Sequence, residues 1–287
     1  MGYKACISGF RDIVRAAAKA IGLGLGRIGV RRERLDLPHW PAELSGLRLA
    51  LVADLHAGSP QVDEQRIAAI VARVNREAVD LVALLGDYID PEVALGEWIE
   101  PESIAARLAR LQSRLGTYAV LGNHDWAHAG ARMGQALRDA GIELLENRAV
   151  RVDASPHRGA SAARFWIAGL GDLITREAEL DGTLAQVPDG EPVLLLSHNP
   201  DLFPRVPARV ALTLSGHTHG AQVDIPVVRD KLTPSRFGAH YTGGHIEEDG
   251  RHLYVSDGIG TSRVPVRFRA KPQLPVLELR AWTSDSR

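Results

Sequence analysis

Residues 47 to 56 read LRLALVADLH, a nearly unbroken apolar run that ends in Asp54 and His56. Such a run suits a strand buried on both faces. The next segment, DEQRIAAIVARVNRE, spaces its apolar residues at the helical period. Outward from there the alternation repeats: DLVALLGD is strand-like, ESIAARLARLQSRLG helical, TYAVLGNHD strand-like, and ARMGQALRDAG helical with Gly141 as its stop. Strands alternating with helices predict βαβ units and a largely parallel sheet. Beyond residue 142, short strands are predicted at IELLEN, AVRVD, RFWIAGL, PVLLLSH and RVALTLSGH, with a helical stretch near 175 to 185. HYTGGHIEEDGRHLYVSDGIG has the turns and alternation of antiparallel hairpins, and QLPVLELRAW reads as a closing strand. No fixed-period repeat or low-complexity linker divides this region, so residues 36–287 read as a single domain.

The 287 residues can bury a substantial core. A formal net charge of -1 gives no global attraction to nucleic acid, and no specific nucleic acid is expected as a partner. The single Cys6 excludes an intramolecular disulfide and any thiolate cluster, which leaves His, Asp, Glu and Asn as metal ligands. The segment RDIVRAAAKAIGLGLGRIGVRRER places Arg11, Arg15 and Lys19 every four residues along one helical face. It has neither the roughly 20 apolar residues of a membrane span nor a signal-peptide core with a cleavage site. Residues 1–35 therefore read as a basic, weakly amphipathic segment, either an anchor on an anionic membrane surface or a solvated helix or disordered leader.

Ligands of open α/β sheets bind outside the carboxyl ends of the strands. Five apolar runs here end in residues of ligand type: Asp54 and His56; Asp87 after Gly86, with Asp90 three residues on; Asn123, His124 and Asp125; His198; and His217 with His219 in SGHTHGAQ. One Asp after a strand is commonly a helix cap, and one His a hydrogen-bonded loop residue. Five such endings together point to a metal site. In extended backbone, residues i and i+2 face one side, so His217 and His219 would aim at one point. The histidines His39, His128, His157, His240, His245 and His252 end no long apolar run and read as ordinary polar residues, although His240 and His245 sit in a hairpin-like stretch within reach of the site.

The set Asp54-x-His56, Gly86-Asp87-x-x-Asp90, Gly122-Asn123-His124-Asp125, His198 and Gly216-His217-Thr218-His219 resembles the calcineurin-like metallophosphoesterases, in that superfamily's order. NPDLF after His198 and GIGTSRVPVRFRAKP near the end look like its bacterial YaeI-like and YkuE-like branch, which includes membrane-associated phosphodiesterases and is similar to UDP-diacylglucosamine pyrophosphatases. The resemblance implies an α/β fold, a four-layer α-β-β-α sandwich with two mixed central sheets. It implies two divalent metal ions, with Mn, Fe or Zn suiting mixed N and O ligands. By the same resemblance Asp87 bridges them, Asp54, His56 and His219 complete one site, and Asn123, His198 and His217 the other. His124 is left for transition-state stabilisation or protonation of the leaving oxygen, with Asp90 or Asp125 as its carboxylate partner. Arg263, Arg267 and Arg269 are candidates for contact with a phosphate or acidic lipid, and Trp126 for stacking or packing.

The implied activity is hydrolysis of a phosphodiester or pyrophosphate bond on a nucleotide-lipid or lipid-linked phosphoester, in the cytoplasm or peripherally on the inner membrane face. The alternatives are a nuclease, a cyclic-nucleotide phosphodiesterase or a metal-stabilised scaffold without turnover. Two departures from the family pattern stand out: Ala221, where many relatives have a second glycine and the backbone is freer, and Ala53, where a serine is frequent.

Overall fold

The computed structural model describes residue 26 and residues 28–154, 163–227 and 229–282. The expected N-terminal anchor, with Arg11, Arg15 and Lys19, and His157 lie outside them. Twelve strands form two six-stranded sheets among the described residues. The first runs β1 (Gly29–Leu37), β12 (Gln273–Ala281), β2 (Leu47–Val52), β3 (Leu81–Leu84), β4 (Thr117–Ala119) and β5 (Glu143–Leu144). The second runs β10 (Gly244–Glu248), β11 (Arg251–Val255), β9 (Leu212–Ser215), β8 (Val193–Leu196), β7 (Arg164–Gly169) and β6 (Arg148–Asp153). Both are mixed: β12 is antiparallel to β2, as are β10 to β11 and β6 to β7, while the remaining pairs are parallel.

The apolar runs are continuous because each strand feeds two cores. Leu47, Leu49 and Leu51 of β2 point between the sheets, where they join Leu194 and Leu196 of β8 and Leu212 and Leu214 of β9. Ala50 and Val52 point the other way, onto the helical layer. That layer is built by α1 (Glu64–Asn75), α2 (Pro101–Leu108), α3 (Asn123–His128) and α4 (Gly130–Asp139). Helix α1 shows why the period predicts it: Ile67, Ile70, Val71 and Val74 form one buried stripe, and the Asp63 side chain caps the first turn by accepting from Arg66 N at 2.8 Å. A third core under the second sheet packs α5 (Leu180–Leu184) and the short turn Pro200–Arg205 onto β8 and β11. The order is helix, sheet, sheet, helix, as the resemblance implies.

Two expectations are corrected here. Helix α2 stops at Leu108, well short of the apolar pattern, because the Asn75 side chain takes over the backbone beyond it: Nδ2 donates to Arg110 O and Oδ1 accepts from Gln112 N, both at 2.9 Å. The boundary drawn at residue 35 falls inside β1, which pairs in parallel with β12 from Gly29 onward. Basic residues mask this strand because, in GVRRERLDL, only Leu35 and Leu37 are buried.

Candidate metal centre

The loops leaving β2, β3, β8 and β9 and the start of α3 meet at one end of the sheets, and all the sequence-predicted ligands gather there. Asp54, His56 and His219 form one cluster, with donor atoms within 4.8 Å of one another; Asp87, His198 and His217 form a second. Asp87 joins them: its Oδ2 lies 3.6 Å from His56 Nε2 and 3.2 Å from His198 Nε2. Asn123 Oδ1 is 3.3 Å from His198 Nε2. The two histidines of SGHTHGAQ are split between the clusters. His217 Nδ1 faces His198 Nε2 at 3.2 Å, whereas His219 Nε2 faces His56 Nε2 at 2.9 Å. The single aiming point expected from an extended strand is therefore corrected, since β9 ends at Ser215 and both residues turn into left-handed backbone (φ 72° and 54°). Asp54, His56 and Asp87 are left-handed as well, with φ of 53°, 45° and 55°. Five non-glycine residues in a costly conformation at one place mark a functional site.

The surroundings fix ring orientation. His198 Nδ1 donates to Leu85 O at 2.7 Å, which leaves the Nε2 lone pair for the cluster. His56 Nδ1 donates to Asp90 Oδ2 at 3.0 Å, with the same consequence. The ring of His217 hydrogen-bonds the Pro234 backbone. Gly122 is required because a Cβ there would overlap the Asp87 carboxylate, and at Gly86 (φ 91°) one would lie 2.6 Å from Gly122 N.

The clusters differ electrostatically. Burial is the largest influence on Asp54 and pushes its pKa up, and burial pushes His219 down, with nearby His56 and Arg267 adding to that. In the second cluster burial acts against the charged forms too. The attraction between Asp87 and His198 nevertheless prevails, holding Asp87 well below the carboxylate range and His198 up at about 10. Asp54 Oδ2 is buried without a hydrogen-bond partner. An orphaned carboxylate oxygen in a cluster where His56 Nε2 and His219 Nε2 approach to 2.9 Å is a donor set that fits a cation.

The predicted catalytic residues separate into two kinds. His124 Nδ1 is 3.2 Å from Asp90 Oδ2, and its Nε2 faces Ser262 Oγ at 3.5 Å on the cleft wall. Burial would lower the His124 pKa, but the Asp90 hydrogen bond and the charges of Asp87 and Asp90 outweigh it and raise it to about 9. Asp90 thus serves His56 and His124 through one oxygen, while the other accepts from Glu92 N at 3.0 Å. Asp125 is the correction: its carboxylate accepts from the backbone N–H groups of Asp87, Tyr88, Ile89 and Gly122, so it clamps the loop that carries Asp87 and does not touch His124.

Arg263 is exposed and lines an open cleft of about 820 Å³ beside Asp87, Asn123, His124 and His217. Arg267 is not available to substrate. It is 3% exposed, donates to Gly260 O at 2.8 Å and to His219 O at 3.0 Å, and braces His219 from behind. Trp126 packs under Arg176, which lies 3.9 Å over its ring. His240 pairs with Glu248, and His245 stacks on His252, so neither joins the clusters. Sequence reasoning missed His128, whose Nε2 is 3.7 Å from Asp90 Oδ1, and Ser262. The signal for His128 was its i+4 spacing from His124 on α3; nothing local marks Ser262.

Residues 47–221 match the calcineurin-like phosphoesterase family. This chain belongs to that family. The phosphoesterase is 29% identical over 243 residues to the uncharacterized metallophosphoesterase YkuE of Bacillus subtilis, covering 84% of this chain and 82% of the relative. It is 31% identical over 239 residues to the phosphodiesterase YaeI of Escherichia coli, covering 81% and 82%. It is 30% identical over 258 residues to a transmembrane protein with metallophosphoesterase domain of Danio rerio, covering 84% of this chain but only 54% of that protein. No helix among the described residues of the phosphoesterase is long and apolar enough to cross a membrane.

Proposed function

We propose that the centre holds two divalent ions, Mn, Fe or Zn, and hydrolyses a phosphodiester or pyrophosphate bond in a lipid-linked phosphoester such as a nucleotide-lipid. The observation that carries the dinuclear reading is Asp87 Oδ2 between the two clusters. Asp54, His56 and His219 would hold one ion, Asn123, His198 and His217 the other, and Asp87 both. Such ions supply Lewis acidity toward phosphoryl oxygens and activation of water.

The chain's own groups do the rest. Asp90 keeps the proton of His124 on Nδ1 side of the ring in place, and the Nε2 edge, turned to the cleft, is set to hydrogen-bond a phosphoryl oxygen or give its proton to the leaving oxygen. Arg263 binds an anionic oxygen at the wall. Leu173, Ile174, Leu232, Pro234 and Val264 line the same cleft, which supports a substrate with an apolar portion. No Phe, Tyr or Trp lines it, so the stacking a nuclease would use has no partner among the described residues. The relative named as a transmembrane protein supports a site of action at a membrane, here the cytoplasmic face. Residues from 29 onward act as one domain in this reading.

The test is cleavage of bis-p-nitrophenyl phosphate, beside the monoester, by metal-stripped protein with Mn, Fe, Zn or Mg restored. Metal-dependent diester cleavage that falls about 10²- to 10³-fold in His124→Ala, with metal content unchanged, is the expected result. Two bound ions without turnover of any substrate class would favour a scaffold.

A further inference from the structure

Large apolar side chains left in solvent are unevenly distributed. Of the ten among the described residues, nine sit on the connections that leave the strand ends carrying the clusters, Leu232 in the short helix Arg229–Leu232, and only Trp282 follows a strand at the opposite end. The connection from β9 to β10 contributes Ile225, Val227, Leu232 and Phe237, with Val227 90% exposed; the loop after β11 contributes Val264 and Phe268. These two segments are adjacent, since Asp224 N donates to Phe268 O at 2.9 Å. They are also tied down: Arg229 donates to Thr242 Oγ1 at 2.8 Å, Arg236 N to Asp201 Oδ2 at 2.8 Å, and Gln222 bonds the backbone of Ser262 and Val264. An exposed apolar patch on a preformed rim signals a contact surface.

Its charge says what kind. Residues 262–271 carry Arg263, Arg269 and Lys271 on the surface and no acid, and Lys231 and Arg236 are exposed on the neighbouring segment. The acids there are engaged: Asp224 faces Arg229 at 3.4 Å and Asp230 accepts from Ala239 N. Arg269 lies over the Phe268 ring, so cation and apolar surface are presented together. Apolar tips among basic residues match the boundary between acyl chains and anionic headgroups. We propose that this rim docks the enzyme on an anionic lipid bilayer and seats the cleft mouth on the headgroups. The proposal deepens the lipid-linked substrate reading and rests on it for its purpose.

The full chain allows a direct test, because Cys6 is its only cysteine. In a Cys6→Ser background an environment-sensitive fluorophore is placed at Val227→Cys, or at Asp189→Cys, which is exposed ahead of β8 on the opposite end. Vesicles with about 30% anionic lipid should brighten and blue-shift the probe at 227 but not at 189, and salt should reverse the change. Val227→Glu with Phe268→Glu, neither in the cleft lining, should weaken vesicle partition about tenfold while cleavage of the soluble diester stays unchanged. A probe at 227 that stays in water on bound vesicles overturns the proposal, as does absence of binding. A response that needs only higher protein concentration also overturns it and identifies a second copy as the occupant. Vesicle binding without any diester cleavage would instead sink the catalytic reading alone.

Discussion

The two donor clusters are built from the same residue types yet stand in different surroundings. Asp54 and His56 are fully buried and absent from the cleft wall, so that their cluster reaches the cleft through His219 alone, which Arg267 braces from behind. Asp87, Asn123 and His217 border the cleft beside His124, while His198 sits behind them. In the inner cluster burial raises Asp54 and lowers His219; in the outer cluster burial likewise lowers His217 to about 3, while Asp87 is held down and His198 up by their mutual attraction. The contrast teaches that desolvation sets the direction at Asp54, His217 and His219, and that Coulomb attraction overrides it only for the close pair Asp87 and His198.

The shared carboxylate gives the largest test. Asp87→Ala should remove diester cleavage by on the order of 10³-fold and lower bound metal below two ions per chain, measured by elemental analysis. Retention of both ions would break the bridging assignment. Next come the separate clusters: Asp54→Ala and His217→Ala should each lose one ion. Dialysis should strip the remaining ion of Asp54→Ala sooner, because Asn123 and His217 both line the cleft whereas of the other set only His219 does. Equal exchange would erase the inner and outer distinction.

A third prediction concerns pH in metal-stripped protein. His198 is raised above its unfolded value near 6.5 to about 10, so its stabilising contribution is complete below about pH 6.5 and is lost as pH rises through about 10. Asp87, depressed in the fold, contributes above the ordinary carboxylate range and loses that contribution as pH falls through its lowered value. Thermal midpoints should therefore decline at alkaline pH, and His198→Asn should flatten that limb. An unchanged alkaline limb in the variant would remove the charge-separated description of the outer cluster.

The smallest effect lies at the wall between rim and centre. Ala221 is left-handed (φ 63°), so Ala221→Gly should stabilise the fold by about 1 kcal/mol in denaturant unfolding without changing metal content. The sequence reading anticipated a less free backbone there; the fold keeps the conformation through the Gln222 clamp on residues 262 to 264.

Much of this protein is legible in one dimension because both sheets are buried on two faces. Apolar runs such as LRLALV and VLLL need no partner to be recognised, and their polar endings name the candidate ligands. Strand β1 escaped because as an edge strand it keeps its charges, and α2 was overdrawn because a side chain from α1 ends it. The same limit applies at the centre. Residue type and order determined that Asp54, His56, Asp87, Asn123, His198, His217 and His219 belong together. Tertiary structure decided which of them share a cluster, that Asp90 serves His124 while Asp125 clamps the loop, and that Arg263 meets the cleft while Arg267, four residues on, is buried behind His219. The physical reason is that residue identity fixes what a side chain can bond, whereas left-handed turns and packing fix where it points.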